Sequence, residues 1–312
     1  MLFLLVLTAG MQAQNLLETT KNAAQNGDMI SQYNLGLYYS LGEIIPRDSS
    51  EAIYWWRRAA EQGLVEAQYK LGLCYYEGKG ISKDYAKAVE WFKKSANQGD
   101  AIAQYKLGVC YDNGYSVTQD YTQAVYWYQK AVAQGNAWAQ NNLGVCYEKG
   151  NGVEQDYTQA IYWFRKSAEH GNAKALANLG YCYEKGMGVE QDQTQAVYWY
   201  RKSAEQGDEW GQYVLGVRYY YGEGVEQDYT QAVYWYRKSA EQGFAWGQLN
   251  LGLCYYYGEG VELNQTQALY LFKKAIADEE DGGEIFELLK KEQILNDDGE
   301  YYYTTGMPIT NG

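Results

Sequence analysis

The chain of 312 residues has one histidine, His170, and two prolines. A lone imidazole excludes metal centres built from several histidines, and it removes the base on which most nucleophilic triads depend. Positive charge is also scarce, with 26 Lys and Arg against 39 Asp and Glu, a formal charge of −13. Such a chain lacks the basic stripe that displaces counterions from nucleic-acid phosphates, and an anionic leaflet would repel it. Long apolar runs are missing too: nothing approaches the roughly 18 residues needed to span a bilayer, so the mature protein should be soluble. What the chain does hold is aromatic. Its hydrophobic fraction of 46% includes 35 Tyr, whose hydroxyls want water or a partner, so its apolar surfaces are amphipathic and suit thin layers.

The first residues, Leu2 to Leu7 followed by Thr8, Ala9 and Gly10, form an apolar run of signal-peptide length. Residues 1–13 read as such a segment with Ala13 at the cleavage point, although no Lys or Arg precedes the run and Met11 stands where a small residue is expected. A buried or frayed terminus is the alternative. The first reading places the protein in the periplasm or outside the cell, the second in the cytoplasm. At the other end Asp278, Glu279, Glu280 and Asp281 turn the chain acidic, and a short amphipathic piece from Glu284 to Gln293 precedes a polar tail expected to be mobile.

Between the ends runs a repeat. Leu-Gly recurs at Leu35, Leu71, Leu107, Leu143, Leu179, Leu215 and Leu251, a period of 36 residues without slippage, and further Gly series follow in phase at Gly27 to Gly243 and at Gly42 to Gly258. Each unit reads as two helices. In the third, Asp100 caps a helix carrying Ala103, Leu107, Gly108 and Tyr111 on one face, which stops at Gly114. Asp120 then caps a second helix presenting Ala124, Trp127, Tyr128, Ala131 and Val132, with Gln123 expected to reach back as the partner of a capping box. Small residues at Gly108 and Ala124 let backbones approach, and Trp127 is expected to fill the layer. One hairpin cannot bury its stripe alone, but stacked neighbours can.

The expected fold is therefore all-α: a right-handed α/α solenoid of seven 36-residue hairpins over residues 28–279. A capping helix in 14–27 closes the front, and a second one with the acidic tail, in 280–312, closes the back.

The succession Ala-Gln, Leu-Gly-x-Cys-Tyr, Gly-x-Gly-Val, Asp and Ala-Val-x-Trp-Tyr-x-Lys-Ser-Ala-x-x-Gly, nearly complete in residues 209–243 with Arg218 in place of the Cys, resembles the Sel-one-like repeat family, relatives of the tetratricopeptide repeats. The resemblance covers all seven units. It implies an adaptor that assembles other proteins, with the first helix of each hairpin lining a concave face. A cysteine-rich branch of that family, which binds or hydrolyses β-lactams, bridges its two helices with a second Cys per repeat. Here Ala60, Ala96, Val132, Ala168, Ala204 and Ala240 occupy that second position, so the activity does not carry over.

Cys74, Cys110, Cys146, Cys182 and Cys254 share one repeat position. Stacked helices lie about 8–10 Å apart and a disulfide needs Cα atoms within about 7 Å, so the five are expected to be free, half-buried thiols. His170 stands at a helix end where other units have Gln, and the Gly-x-Gly pairs lack the Lys-Ser/Thr of a phosphate loop and read as interhelical turns. We expect no catalytic residue, no cofactor and no metal site.

Residues that differ between otherwise similar units carry the functional information. The outward positions implied for the first helix become Trp210, Tyr213, Val217, Tyr220 and Tyr221 in unit six, and Trp246, Leu249, Leu253, Tyr256 and Tyr257 in unit seven. The middle units are more polar there, with Glu148, Lys149, Glu184 and Lys185. Trp and Tyr are enriched at binding hot spots, so Trp210, Tyr213, Tyr220, Tyr221, Trp246, Tyr256 and Tyr257, with Arg218 to pair a carboxylate, form a candidate contact patch for a protein or peptide partner. Packing of these rings between units is the competing reading. A non-enzymatic scaffold is favoured over a β-lactam-binding or cell-wall hydrolase and over a purely structural solenoid.

Overall fold

The computed structural model describes residues 2–279 and 283–296, with side chains from residue 14 onward. The side chains of the expected export segment and the tail beyond residue 296 lie outside the described residues. The chain falls into two compact units, residues 1–155 and 156–312, and sixteen α-helices are formed among the described residues.

The first unit holds α1 (Leu2–Gln25), α2 (Met29–Leu41), α3 (Ser49–Glu61), α4 (Val65–Glu77), α5 (Tyr85–Asn97), α6 (Ala101–Asn113), α7 (Tyr121–Val132) and α8 (Ala137–Lys149). The second holds α9 (Tyr157–Glu169), α10 (Ala173–Lys185), α11 (Gln193–Glu205), α12 (Glu209–Tyr221), α13 (Tyr229–Glu241), α14 (Ala245–Tyr257), α15 (Gln265–Asp278) and α16 (Glu284–Lys291). Successive helices pack as hairpins, α2 on α3 through α6 on α7 in one unit and α10 on α11 through α14 on α15 in the other. Each is short because its start and stop are written into the repeat. Asp100 accepts from the Ala103 amide at 2.6 Å to open α6, and Gly114 closes it at φ 71°, a left-handed angle that costs an L side chain steric energy.

Asp120 accepts from the Gln123 amide at 3.0 Å, as expected, but the reciprocal half of the capping box does not form. The Asp120 N–H instead donates to the Tyr111 carbonyl at 3.0 Å, a bond repeated by Asp84 to Tyr75 and by Asp228 to Tyr219. The hairpin itself thus consumes the donor that Gln123 would have taken.

Within each unit the core is built of Leu-Gly pairs facing aromatic rings. Leu71, Leu107, Leu179 and Leu215 are fully buried, each contributing about 2 kcal/mol by leaving water. The ring over Gly108 belongs to Tyr128, not to the expected Trp127: a Cβ built on Gly108 would stand 2.6 Å from that ring, and Tyr128 is wholly buried whereas Trp127 is only partly so. Tyr200 lies over Gly180 and Tyr236 over Gly216 in the same way. Tyr128 rather than Trp127 points at α6 because it falls one residue further round α7, in line with Ala124 four positions before it.

Polar seams join hairpin to hairpin. Gln98 Nε2 donates to Gln68 Oε1 at 2.8 Å, and Gln68 Nε2 donates onward to the Ala60 carbonyl at 3.2 Å. In the second unit Gln242 and Gln212 repeat the arrangement toward Ala204, while Ser239 Oγ donates to the Glu209 carbonyl. At the front, Leu17 and Ala24 of α1 are buried with Leu35 and Trp55, and α1 runs without a break from Leu2. At the back, Ile285 and Leu289 of α16 are fully buried against Leu249 and Phe272. This corrects one outward position: Leu249 is 1% exposed and belongs to the same buried cluster as Phe272, Ile285 and Leu289.

Candidate functional site

The candidate residues all lie on α12 and α14, within the second unit. Trp210 opens α12 and is partly buried, its indole edge-on to Tyr200 at 5.8 Å and to Tyr181 at 6.4 Å. One turn on, Tyr213 packs against Tyr236 and Phe244, with ring centroids at 6.3 and 5.4 Å, and burial raises its phenol pKa. Tyr220 and Tyr221 end the helix. Tyr220 lies edge-on to Tyr229 and donates to the Glu259 carboxylate at 2.5 Å, which ties α12 to the turn after α14. Burial and then that carboxylate raise the Tyr220 pKa. Tyr221 projects into solvent, 64% exposed.

On α14, Trp246 is partly buried and walls a cavity of about 380 Å³ with Phe244, Glu209 and Asp278. Tyr256 leans on Phe272 at 6.2 Å and meets Tyr257 edge-on at 5.0 Å, leaving Tyr257 half exposed. The eight candidates thus divide: Tyr221 and Tyr257 are exposed rings, each edge-on to the tyrosine before it at 4.9 and 5.0 Å, while Trp210, Tyr213, Tyr220, Trp246 and Tyr256 are partly buried. Arg218 is held inside the chain, its Nη2 at 3.1 Å from Glu184 and its Nη1 paired with Glu223.

That ion pair belongs to a network that the residue pattern did not announce. Tyr200 Oη donates to Glu184 Oε2 at 2.8 Å, and Lys185 Nζ stands 2.7 Å from Glu184 Oε1. Burial by itself would raise the Glu184 pKa, but Lys185, Tyr200 and Arg218 together hold it below the ordinary glutamate value. Burial first and Glu184 second push the Tyr200 phenol up. The signal in the sequence is an offset of sixteen residues, because Asp112 and Tyr128 form the same bond in the first unit at 2.9 Å.

The cysteines are more deeply buried than half, and all five are free. Burial pushes Cys110, Cys146 and Cys254 up to about 12 and Cys74 to about 11, the opposite of what a nucleophilic thiol requires. His170 caps the end of α9, its Nδ1 at 2.9 Å from the Lys166 carbonyl. Among the described residues, no group of three His, Cys, Asp or Glu is placed to hold a metal ion, and no helix is long and apolar enough to cross a membrane.

Short helical hairpins in tandem, each first helix closed by a left-handed glycine and, within a unit, packed on the helix that follows, define a helical-repeat protein of the solenoid class. Sel1 repeats are matched at residues 30–64, 65–100, 101–136, 139–172, 173–208, 211–244 and 247–278, and the chain belongs to the Sel1 repeat family. Its fold is similar to that of c5321, a protective antigen of uropathogenic Escherichia coli with an SLR fold, at 38% identity over 93% of this chain and a TM-score of 0.70. The chain spans 62% of the length of that protein. A Sel1 repeat protein from Oxalobacter formigenes is 33% identical, with 91% of this chain and 81% of that one covered and a TM-score of 0.69. No curated protein matches the chain. The Sel1 repeat fold is commonly a protein-interaction scaffold.

Proposed function

We propose that the chain is a non-enzymatic scaffold that holds a protein or peptide partner against the aromatic face of α12 and α14. The observation that carries this reading is the pair of exposed rings, Tyr221 and Tyr257, set at equivalent ends of these two helices beside the partly buried Trp210, Tyr220, Trp246 and Tyr256. Large rings held rigidly from behind lose little conformational freedom on binding, and they exclude water around whatever lies on them. The raised thiol pKa values speak against the thiol form of the hydrolase alternative.

The test is capture of partners by the wild-type chain and by two variants, Trp210→Ala with Trp246→Ala and Tyr221→Ser with Tyr257→Ser. The second pair removes only exposed rings, so it should keep the helical circular dichroism of the parent. A partner retained by the wild type and lost from both variants supports the scaffold reading. The same proteins retained by all three would place the contact elsewhere.

A further inference from the structure

In the first unit, three tyrosine rings plug the junction beside α6. Tyr85 and Tyr115 stack at 4.7 Å with planes 8° apart, and Tyr76 meets both edge-on at 5.3 and 6.0 Å. The equivalent positions three repeats later are Gln193, Glu223 and Glu184, and Arg218 stands there where the first unit has Cys110. At that place in the second unit there is a cavity of about 500 Å³ lined by Glu184, Lys185, Gln191, Gln193, Arg218 and Glu223. A plug of rings has been replaced by a polar chamber. Unit six reverts part of the way, with Tyr220 edge-on to Tyr229 and Cys254 restored.

The groups around the chamber differ in how firmly they are held. Glu184 is fixed by Tyr200, Lys185 and Arg218, and its side chain is 10% exposed. Arg218 is nearly as buried, at 12%, and its Nε is a buried donor without a partner. Glu223, by contrast, is 51% exposed and holds the Nη1 of Arg218 from the solvent side. Only the Glu223 end of this pair is exposed, so an arriving carboxylate can exchange with Glu223 from the solvent side while the buried guanidinium of Arg218 stays paired throughout. Once Glu223 has swung away, Arg218 and the half-exposed Lys185 face the chamber against one carboxylate, leaving a net positive charge in an otherwise acidic protein.

We infer that this chamber receives a carboxylate of the bound protein or peptide, which takes the place of Glu223 on Arg218 and is joined by Lys185. The inference rests on the scaffold reading and names the chemistry of one contact within it. Glu223 is then a tethered stand-in that keeps a buried guanidinium paired while no partner is present. Gln191 and Gln193 donate to the Glu184 carbonyl at 2.8 and 3.3 Å and set the chamber wall.

The experiment follows the Arg218 Nε–H resonance of the ¹⁵N-labelled full chain during titration with three acetylated peptides. One carries a free C-terminal carboxylate and no acidic side chain, one is amidated with an internal Glu, and one is amidated with no acid. The expected result is a saturable shift from at least one carboxylate peptide and none from the acid-free one; which of the two acts shows whether the partner offers its terminus or a side chain. Calorimetry with the active peptide should show Glu223→Gln binding about two- to fivefold tighter, because the exposed competitor is gone. Arg218→Cys, the residue other repeats use, should weaken binding more than about tenfold while its circular dichroism stays that of the parent. Equal shifts from all three peptides, no saturation, or weaker binding by Glu223→Gln would overturn the inference. Should the chamber fail while capture still depends on Tyr221 and Tyr257, the scaffold reading stands without it; should both fail, that reading falls with it.

Discussion

Tyr200 reaches across its hairpin to donate a hydrogen bond to Glu184 at 2.8 Å, sixteen residues earlier, and Tyr128 does the same to Asp112. Where the earlier residue is itself a tyrosine, as at Tyr76 and Tyr256, the later one is Phe92 or Phe272, and ring meets ring at 6.0 and 6.2 Å. Tyr236 breaks the rule: its counterpart, Tyr220, gives its hydroxyl to Glu259, and the Tyr236 hydroxyl is buried without a partner.

The same substitution should therefore act oppositely at two equivalent sites. Tyr200→Phe strips a buried carboxylate of one donor and should cost about 1–2 kcal/mol, whereas Tyr236→Phe should be neutral or slightly stabilising. Urea midpoints of the two variants decide it; equal losses would mean that the Tyr236 hydroxyl is satisfied in solution.

Gly180→Ala tests how tightly the rings are seated. The added methyl would stand 2.7 Å from the Tyr200 ring, and the resulting strain of about 1–3 kcal/mol outweighs the gain of roughly 1 kcal/mol from replacing a helical glycine. Thermal unfolding should show a lower midpoint. A higher one would show the ring free to move aside.

Asp120→Ala and Gln123→Ala separate a simple cap from a capping box. Only the aspartate makes a side-chain bond at the start of α7, so its loss should cost about 1 kcal/mol and loss of the exposed Gln123 almost nothing. Comparable losses in denaturant titrations would restore the reciprocal bond.

Buried thiols should make the fold lose stability in alkali. The folded-state values of Cys74, Cys110, Cys146 and Cys254 are raised to about 11–12, so the folded chain keeps protons that the unfolded chain releases above about pH 9. Their contribution is complete below that pH and declines between about 9 and 12. Replacing these four by alanine should flatten the fall in urea midpoint across that window, and an unchanged slope would assign the fall to the buried tyrosines alone. A thiol reagent at pH 8 should label the native wild type far more slowly than the urea-unfolded chain.

The architecture was legible because a 36-residue period leaves few choices: Leu107, Gly108 and Asp120 mark a buried face, a close approach and a helix start by their spacing alone. Which ring covers Gly108 was not, since Trp127 and Tyr128 are neighbours on the same stripe and only the rotation of α7 chooses between them. Nor was the placement of Leu249, which shares a buried cluster with Ile285 and Leu289 of α16, residues well outside its repeat. The Glu184, Tyr200 and Arg218 network draws on three helices, and a motif scan along the chain sees each residue as one odd letter. Trp210 and Trp246 were legible as departures from the other units, although their packed undersides became apparent only from Tyr181, Tyr200 and the walls around them.

The glutamine seam carries a consequence for how such a chain changes length. Gln62 reaches Gln32, Gln98 reaches Gln68 and Gln134 reaches Gln104, always across thirty positions. Each joint is complete with the module before it and takes no account of how many stand further back. Duplication or loss of one whole module recreates a joint already in use, while an insertion of any other size between the paired amides takes from the buried Gln32, Gln68 or Gln104 the side-chain donor on its amide oxygen. Growth in whole steps is therefore the route open to this protein, and variation within a step is confined to the turns.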